Sequence, residues 1–247
     1  MGHALKAPRL LGLLALLAGL MALSATAAQA ELNAKWLVNG TAISGSLLPT
    51  INAEKDTKHL IFLTKTGLGG STTLEILCTE IASKGGLLHE LGKLSGKIHF
   101  SNCETFLNGA LATKCKPHSA GAAEGLIESE ALEGLIKLHK LTADGVVHGV
   151  VEVLPVNAGM VFVAIKLGKE VGSECSLAGA SLTGTGFLWD CLENGKGGSK
   201  DAIKHLFEEF KPLTKLLYGG NPATIDGSFW AFLTGAHVNQ TWAGHAG

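Results

Sequence analysis

Glu128, Glu130 and Glu133 crowd the stretch from Leu126 to Leu135. In extended chain, residues two apart point to the same face, so Glu128 and Glu130 would share one. Two carboxyl groups on one face could cleave a glycosidic bond, one protonating the leaving oxygen while the other attacks or activates water. The same run also suits a solvated strand face whose charges keep an edge from pairing with another chain. The sequence favours that plainer reading. Glu208 and Glu209 fall on the wet side of an amphipathic stretch and call for nothing more.

Histidines offer less. His237 and His245 lie eight apart, and His139 and His148 flank a turn expected at Ala143–Gly145. His89-Glu90 lacks the second histidine of a zinc-peptidase helix. A metal site needs three or four converging ligands, and this spacing supplies only pairs, so no metal and no cofactor is expected. A nucleophile elbow, a phosphate-binding loop, a Cys-x-x-Cys pair and a dinucleotide-binding glycine fingerprint are all missing, so no residue is assigned as catalytic. The densest aromatic group is Phe229, Trp230 and Phe232 with Trp242. On a strand, Trp230 and Phe232 would share one face and Phe229 the other. These four either pack a core or form a candidate binding surface.

The five cysteines are Cys78, Cys103, Cys115, Cys175 and Cys191. An odd number leaves at least one thiol unpaired within the chain. Cys103 and Cys115 enclose eleven residues that include Asn108-Gly109. That dipeptide is a strong hairpin signal, so a Cys103–Cys115 bridge is expected. For a second bridge the residues leave Cys175–Cys191 and Cys78–Cys175 open. Chain entropy separates them by under about 1.5 kcal/mol, and geometry decides.

Short runs with period-two alternation could position such groups. They are Trp36–Ser44, Leu60–Thr64, Thr72–Ile81, Lys97–Ser101, Val146–Val153, Met160–Leu167, Ser181–Trp189, Ile225–Leu233 and Val238–Trp242. Leu126–Leu141 reads as two strands or one bent strand. Leu74, Ile76 and Cys78 share a face. Pro155–Gly159 has hairpin chemistry. Val161, Val163, Ile165 and Leu167 share a face, while Met160 and Phe162 make the other face apolar too, as in a strand covered on both sides. One segment departs from this pattern. Ile203, Leu206, Phe207 and Phe210 fall at i, i+3, i+4 and i+7, with Ser199 as cap and Pro212 as stop, which predicts an amphipathic helix over Ser199–Lys211. The expected fold is mainly β: an antiparallel sandwich or barrel-like sheet with one short helix near 199–211. Residues 31–192 would form the β-rich domain. Residues 193–247, after the Glu193–Gly198 link, would add the helix and last strands to it.

Lys6 and Arg9, the apolar run Leu10–Leu23 and the small-x-small triplet Ala28-Gln29-Ala30 have the form of a cleavable secretory signal, residues 1–30, cut before Glu31. The run is shorter than the roughly 20 residues of a membrane-spanning helix. Setting 30 of the 247 residues aside leaves 217, with 18 lysines, 21 acidic residues, no arginine and a formal charge of 18 − 21 = −3. Nucleic-acid partners are disfavoured, because they require a basic face and favour arginine. The missing arginine also removes the usual bidentate clamp for phosphate. Glycine makes up 30 of the 217 residues, about twice the usual ~7%, as suits many short strands and tight turns.

Trp36–Gly40, Leu77-Cys78, Phe100–Cys103, Thr113–Gly125, Leu132–Leu135, Glu174-Cys175 and Gly219–Gly235 together resemble a group of exported β-rich proteins. These occur as many divergent paralogues in some soil actinobacteria, with no established activity. The resemblance implies export and a β fold and carries no site residue across. It also favours Cys78–Cys175 as the second bridge, with Cys191 and the 199–211 segment as departures. Three functions remain in view. The first and preferred one is a secreted or cell-surface non-catalytic module that binds cell-wall material or another surface protein, or is structural. The others are a carrier of a small apolar ligand and an extracellular hydrolase using Glu or His residues.

Overall fold

The computed structural model describes residues 34–44, 50–55, 60–66, 72–140, 147–157, 159–169, 174–189, 200–206 and 216–245. The signal segment, its cut at Glu31, Cys191, the 193–198 link and residues 207–211 lie outside them. The first strands are β1 (Lys35–Val38), β2 (Thr41–Ala42), β3 (Thr50–Lys55), β4 (Leu60–Thr66), β5 (Thr72–Leu88) and β6 (Lys93–Leu107). Next come β7 (Ala110–Leu111), β8 (Pro117–Ser119), β9 (Ile127–Glu128), β10 (Leu132–Lys140), β11 (Val147–Pro155) and β12 (Val161–Leu167). The last are β13 (Ala180–Thr183), β14 (Gly186–Trp189), β15 (Lys200–Leu206), β16 (Leu217–Tyr218), β17 (Asn221–Leu233) and β18 (Trp242–His245), with a 3-10 turn at Gly235–His237. No helix among the described residues is long and apolar enough to cross a membrane.

All pairings are antiparallel, so the fold is mainly β, as expected. Its spine is the hairpin of β5 and β6, paired from Leu74↔Leu107 to Leu88↔Leu94 with a register shift between Lys84 and Leu87. The turn between them needs Leu91 and Gly92 at φ 56° and 67°. A Cβ on Gly92 would meet that of Ala34 at 2.9 Å, so this position admits only glycine without movement. Along β5, Leu74, Ile76 and Cys78 are buried, on the face that alternation assigned them.

Neighbouring strands run β15-β14-β11-β10-β6-β5-β3-β17, and β15 pairs with β17 as well. Hydrogen-bonded pairing therefore returns to its start through eight strands, which gives a barrel-like ring. The other end of β17 continues into β16, β13, β12 and β8, and β4 bridges β17 to β5. A second sheet, β18-β1-β2, packs against the spine through Trp36, whose indole N–H donates to the Lys93 carbonyl at 2.7 Å.

Two sequence expectations change here. Residues 200–206 form a strand, β15, not the start of a helix. They pair with β17 from Lys200↔Phe232 to Leu206↔Asp226 and meet β14 at Lys204. Two flanking strands satisfy backbone groups that a short isolated helix would satisfy only internally, so tertiary pairing overrides the helical spacing. Pro155–Gly159 does not close a hairpin either, because β11 pairs with β10 and β14 while β12 pairs with β8 and β13. The chain turns a corner there between two parts of the sheet. Asn157 fixes the corner by accepting from the Val161 N–H at 2.9 Å and donating to its carbonyl at 2.8 Å. β12 is covered on one face and not on both as expected: Phe162, Val163, Ile165 and Leu167 are buried, while Met160, Ala164 and Lys166 are exposed. A register shift between Val161 and Val163 lets neighbours turn inward together. Leu126–Leu141 resolves into two strands, β9 and β10.

Candidate functional site

Glu128 closes β9, opposite His99 of β6. The strand stops there, yet Glu130 follows onto the same open groove of about 410 Å³, lined also by Lys97, His99 and the Ala120–Ala122 turn. The paired carboxylates thus share a groove. Glu133 is carried off on β10, opposite Ser95 and Leu154.

The groove is built by backbone bonds that leave little slack. Ser119 Oγ accepts from the Glu128 N–H at 2.9 Å. Ser129 Oγ accepts from the Ile98 N–H at 2.9 Å and donates to the Glu130 carbonyl at 2.8 Å. The Glu130 N–H reaches the Phe162 carbonyl at 2.7 Å, which ties the rim to β12. The turn is held by Ala122 N–H to Ser119 O and Ser119 N–H to Leu126 O, both at 3.0 Å. Below it, His118 is 3% exposed, with Nε2 at 2.9 Å from the Gly168 carbonyl and Nδ1 at 3.1 Å from that of Ser119. This buried ring joins β8 to the end of β12.

The electrostatics decide what Glu128 can do. Lys84 Nζ donates to Oε2 at 2.9 Å and Lys97 Nζ to Oε1 at 3.0 Å. The Lys84 hydrogen bond, then that of Lys97, holds the Glu128 carboxyl below its ordinary value of 4.5, against a smaller opposing effect of burial. A general acid needs the reverse shift, toward the working pH. Both oxygens of Glu128 are engaged by lysines, which suits a charged tie between strands and not a proton donor. A smaller groove of about 200 Å³ lies on the other side of Leu126, with Glu104, Lys116 and Glu124 on its walls.

Of the four aromatics, Phe229 and Trp242 are 5% and 1% exposed. They are core residues, which corrects their place in a binding surface. Trp242 packs on Trp36 with ring centres 5.9 Å apart, in a different sheet from the other three. Trp230 and Phe232 are half-buried on one face of β17, and Phe229 takes the other with Ala231 and Leu233.

The four cysteines expected to bond do so, but with exchanged partners. Cys78 joins Cys103 and Cys115 joins Cys175. Cys78 and Cys103 face each other in the β5–β6 register, with Cα atoms 4.0 Å apart. Asn108-Gly109 does make the expected turn, with φ 48° and 80°. However, β7 extends only to Leu111 before the chain leaves, so Cys115 never returns to Cys103. It ties down the segment of Cys175 instead, beside a Lys114–Glu174 ion pair.

Of the two histidine pairs, only His139 and His148 are placed opposite each other. His237 Nδ1 meets Gln240 Oε1 at 3.0 Å, His245 stands opposite Lys35, and His139 and His148 are opposed in the β10–β11 register. Among the described residues, no three His, Cys, Asp or Glu side chains are grouped to hold a metal. Lys84, Lys97, His118, Ser119 and Ser129 carried no sequence signal, because their roles come from strands brought together across 9 to 50 positions. No family model matches the chain, and neither does any curated protein or any solved structure.

Proposed function

We propose that this is a secreted or cell-surface, non-catalytic β-rich module whose role is binding or structural. The observation that carries the reading is the double lysine clamp on Glu128, which spends one of the groove's two carboxylates on holding strands together. Two disulfides support an oxidising compartment, in keeping with the signal-like segment and with the resemblance to exported β-rich proteins. The partners that suit it are cell-wall material or another surface protein. The test is turnover of a panel of chromogenic glycosides and esters by wild type, Glu128→Gln and Glu130→Gln. The expected result is no turnover that depends on either carboxylate. Turnover abolished by both substitutions would make the protein a hydrolase.

The closed pairing of eight strands favours one other reading, a carrier of a small apolar ligand. Saturable one-to-one binding of an apolar fluorescent probe would support it.

A further inference from the structure

The groove beside Glu128 has the size, rigidity and charge balance of a site for a small polar molecule. Its volume of about 410 Å³ lies in the lower part of the range of roughly 300–1,000 Å³ for ligand pockets. Its walls are preorganised by the bonds to Ser119, Ser129 and Phe162, so little ordering cost falls on binding. Lys97 on the groove wall and Lys84, bonded to Glu128 from outside the lining, together offset Glu128 and Glu130.

What the groove offers a ligand is what those groups have left. Lys97 donates one N–H to Glu128 and, having three, keeps others to give. Glu130 is exposed, and among the described residues its carboxylate holds no ion pair. The His99 ring adds a donor or acceptor. Between these polar points, Leu126, Ala164 and the methyls of the Ala120–Ala122 turn supply apolar surface. Alternating donors and acceptors over small apolar patches, with no net charge, match a molecule with many hydroxyls on a C–H framework. An anionic ligand would meet lysines already neutralised by Glu128, with no arginine to clamp it.

We infer that the groove formed by Lys97, His99, Glu130 and the Ala120–Ala122 turn binds a neutral saccharide of about two rings without cleaving it. This deepens the proposed function and rests on it only for the saccharide leaving intact.

The test is a titration of the oxidised, processed protein with cellobiose and chitobiose, followed by amide chemical shifts and by the sugar spectrum itself. Glycylglycine and a uronic-acid disaccharide serve as zwitterionic and anionic comparators. Two variants accompany it. Glu130→Ala removes the free acceptor. Ala164→Trp fills the groove from an exposed position on β12 and touches none of its polar bonds. Saturable shifts centred on the groove, weakened about tenfold by either variant, support the inference, since tenfold corresponds to about 1.4 kcal/mol, within reach of one charged hydrogen bond. It is overturned if neither neutral disaccharide binds, if only the charged comparators bind, or if both folded variants bind as wild type does. Monosaccharide appearing during the titration would uphold the ligand class and overturn the non-catalytic reading.

Discussion

Glu128 sits between two ammonium groups that are themselves in water. Its side chain is 27% exposed, and those of Lys84 and Lys97 are 64% and 38% exposed. Solvent therefore screens much of the attraction, and the clamp is worth less than the two short distances suggest. Glu128→Gln should cost about 0.5–1 kcal/mol near neutral pH, read as a lower urea midpoint. The carboxyl is held below its ordinary 4.5. Its stabilisation is therefore fully present above the unfolded value and is lost as pH falls through the folded one. The gap between wild type and Glu128→Gln should accordingly close on acidification, and should narrow in salt near ~1 M. A gap that stays constant with pH would show that the carboxylate charge does not stabilise the fold.

At the scale of elements, the disulfides fasten different kinds of structure. Cys78–Cys103 links two strands already paired, across a sequence separation of 25. Cys115–Cys175 spans 60 and holds residues 174–179, which belong to no strand. On the chain-entropy model the longer loop is worth more by about 0.8 kcal/mol. Non-reducing peptide mapping should return these two bridges. A dominant Cys103–Cys115 peptide would contradict the β5–β6 register. The strands of the spine were legible because alternation is a local property: Leu74, Ile76 and Cys78 needed only their own spacing to be placed. Cysteine partnership was not, because it depends on where β7 ends and on the facing residue of a neighbouring strand. The same limit produced the false helix. Ile203 and Leu206 satisfy a helical spacing, but β14 and β17 lie on either side of them, which no local pattern reveals. The far-UV circular dichroism spectrum should accordingly be that of a strand-rich protein, and a helix-dominated spectrum would contradict the β fold. Of the groove, the sequence showed the Glu128 and Glu130 pair but not the lysines that hold Glu128. Lys84 and Lys97 lie 44 and 31 residues from Glu128 and meet it only through the β5–β6–β9 pairing.

For the whole molecule, the long strand β17 runs through both parts of the sheet, and the closed pairing leaves the eight described ring strands without a free edge. That closure protects a β protein from pairing with others. A compartment that oxidises thiols is also where two intact disulfides persist. The central claim, an exported and disulfide-tied β module, is tested most directly by the intact mass of the protein recovered outside the cytoplasm, before and after reduction. The expected chain begins at Glu31 and is lighter before reduction by four hydrogens for its two bridges. A retained leader, or a mass unchanged by reduction, would contradict it.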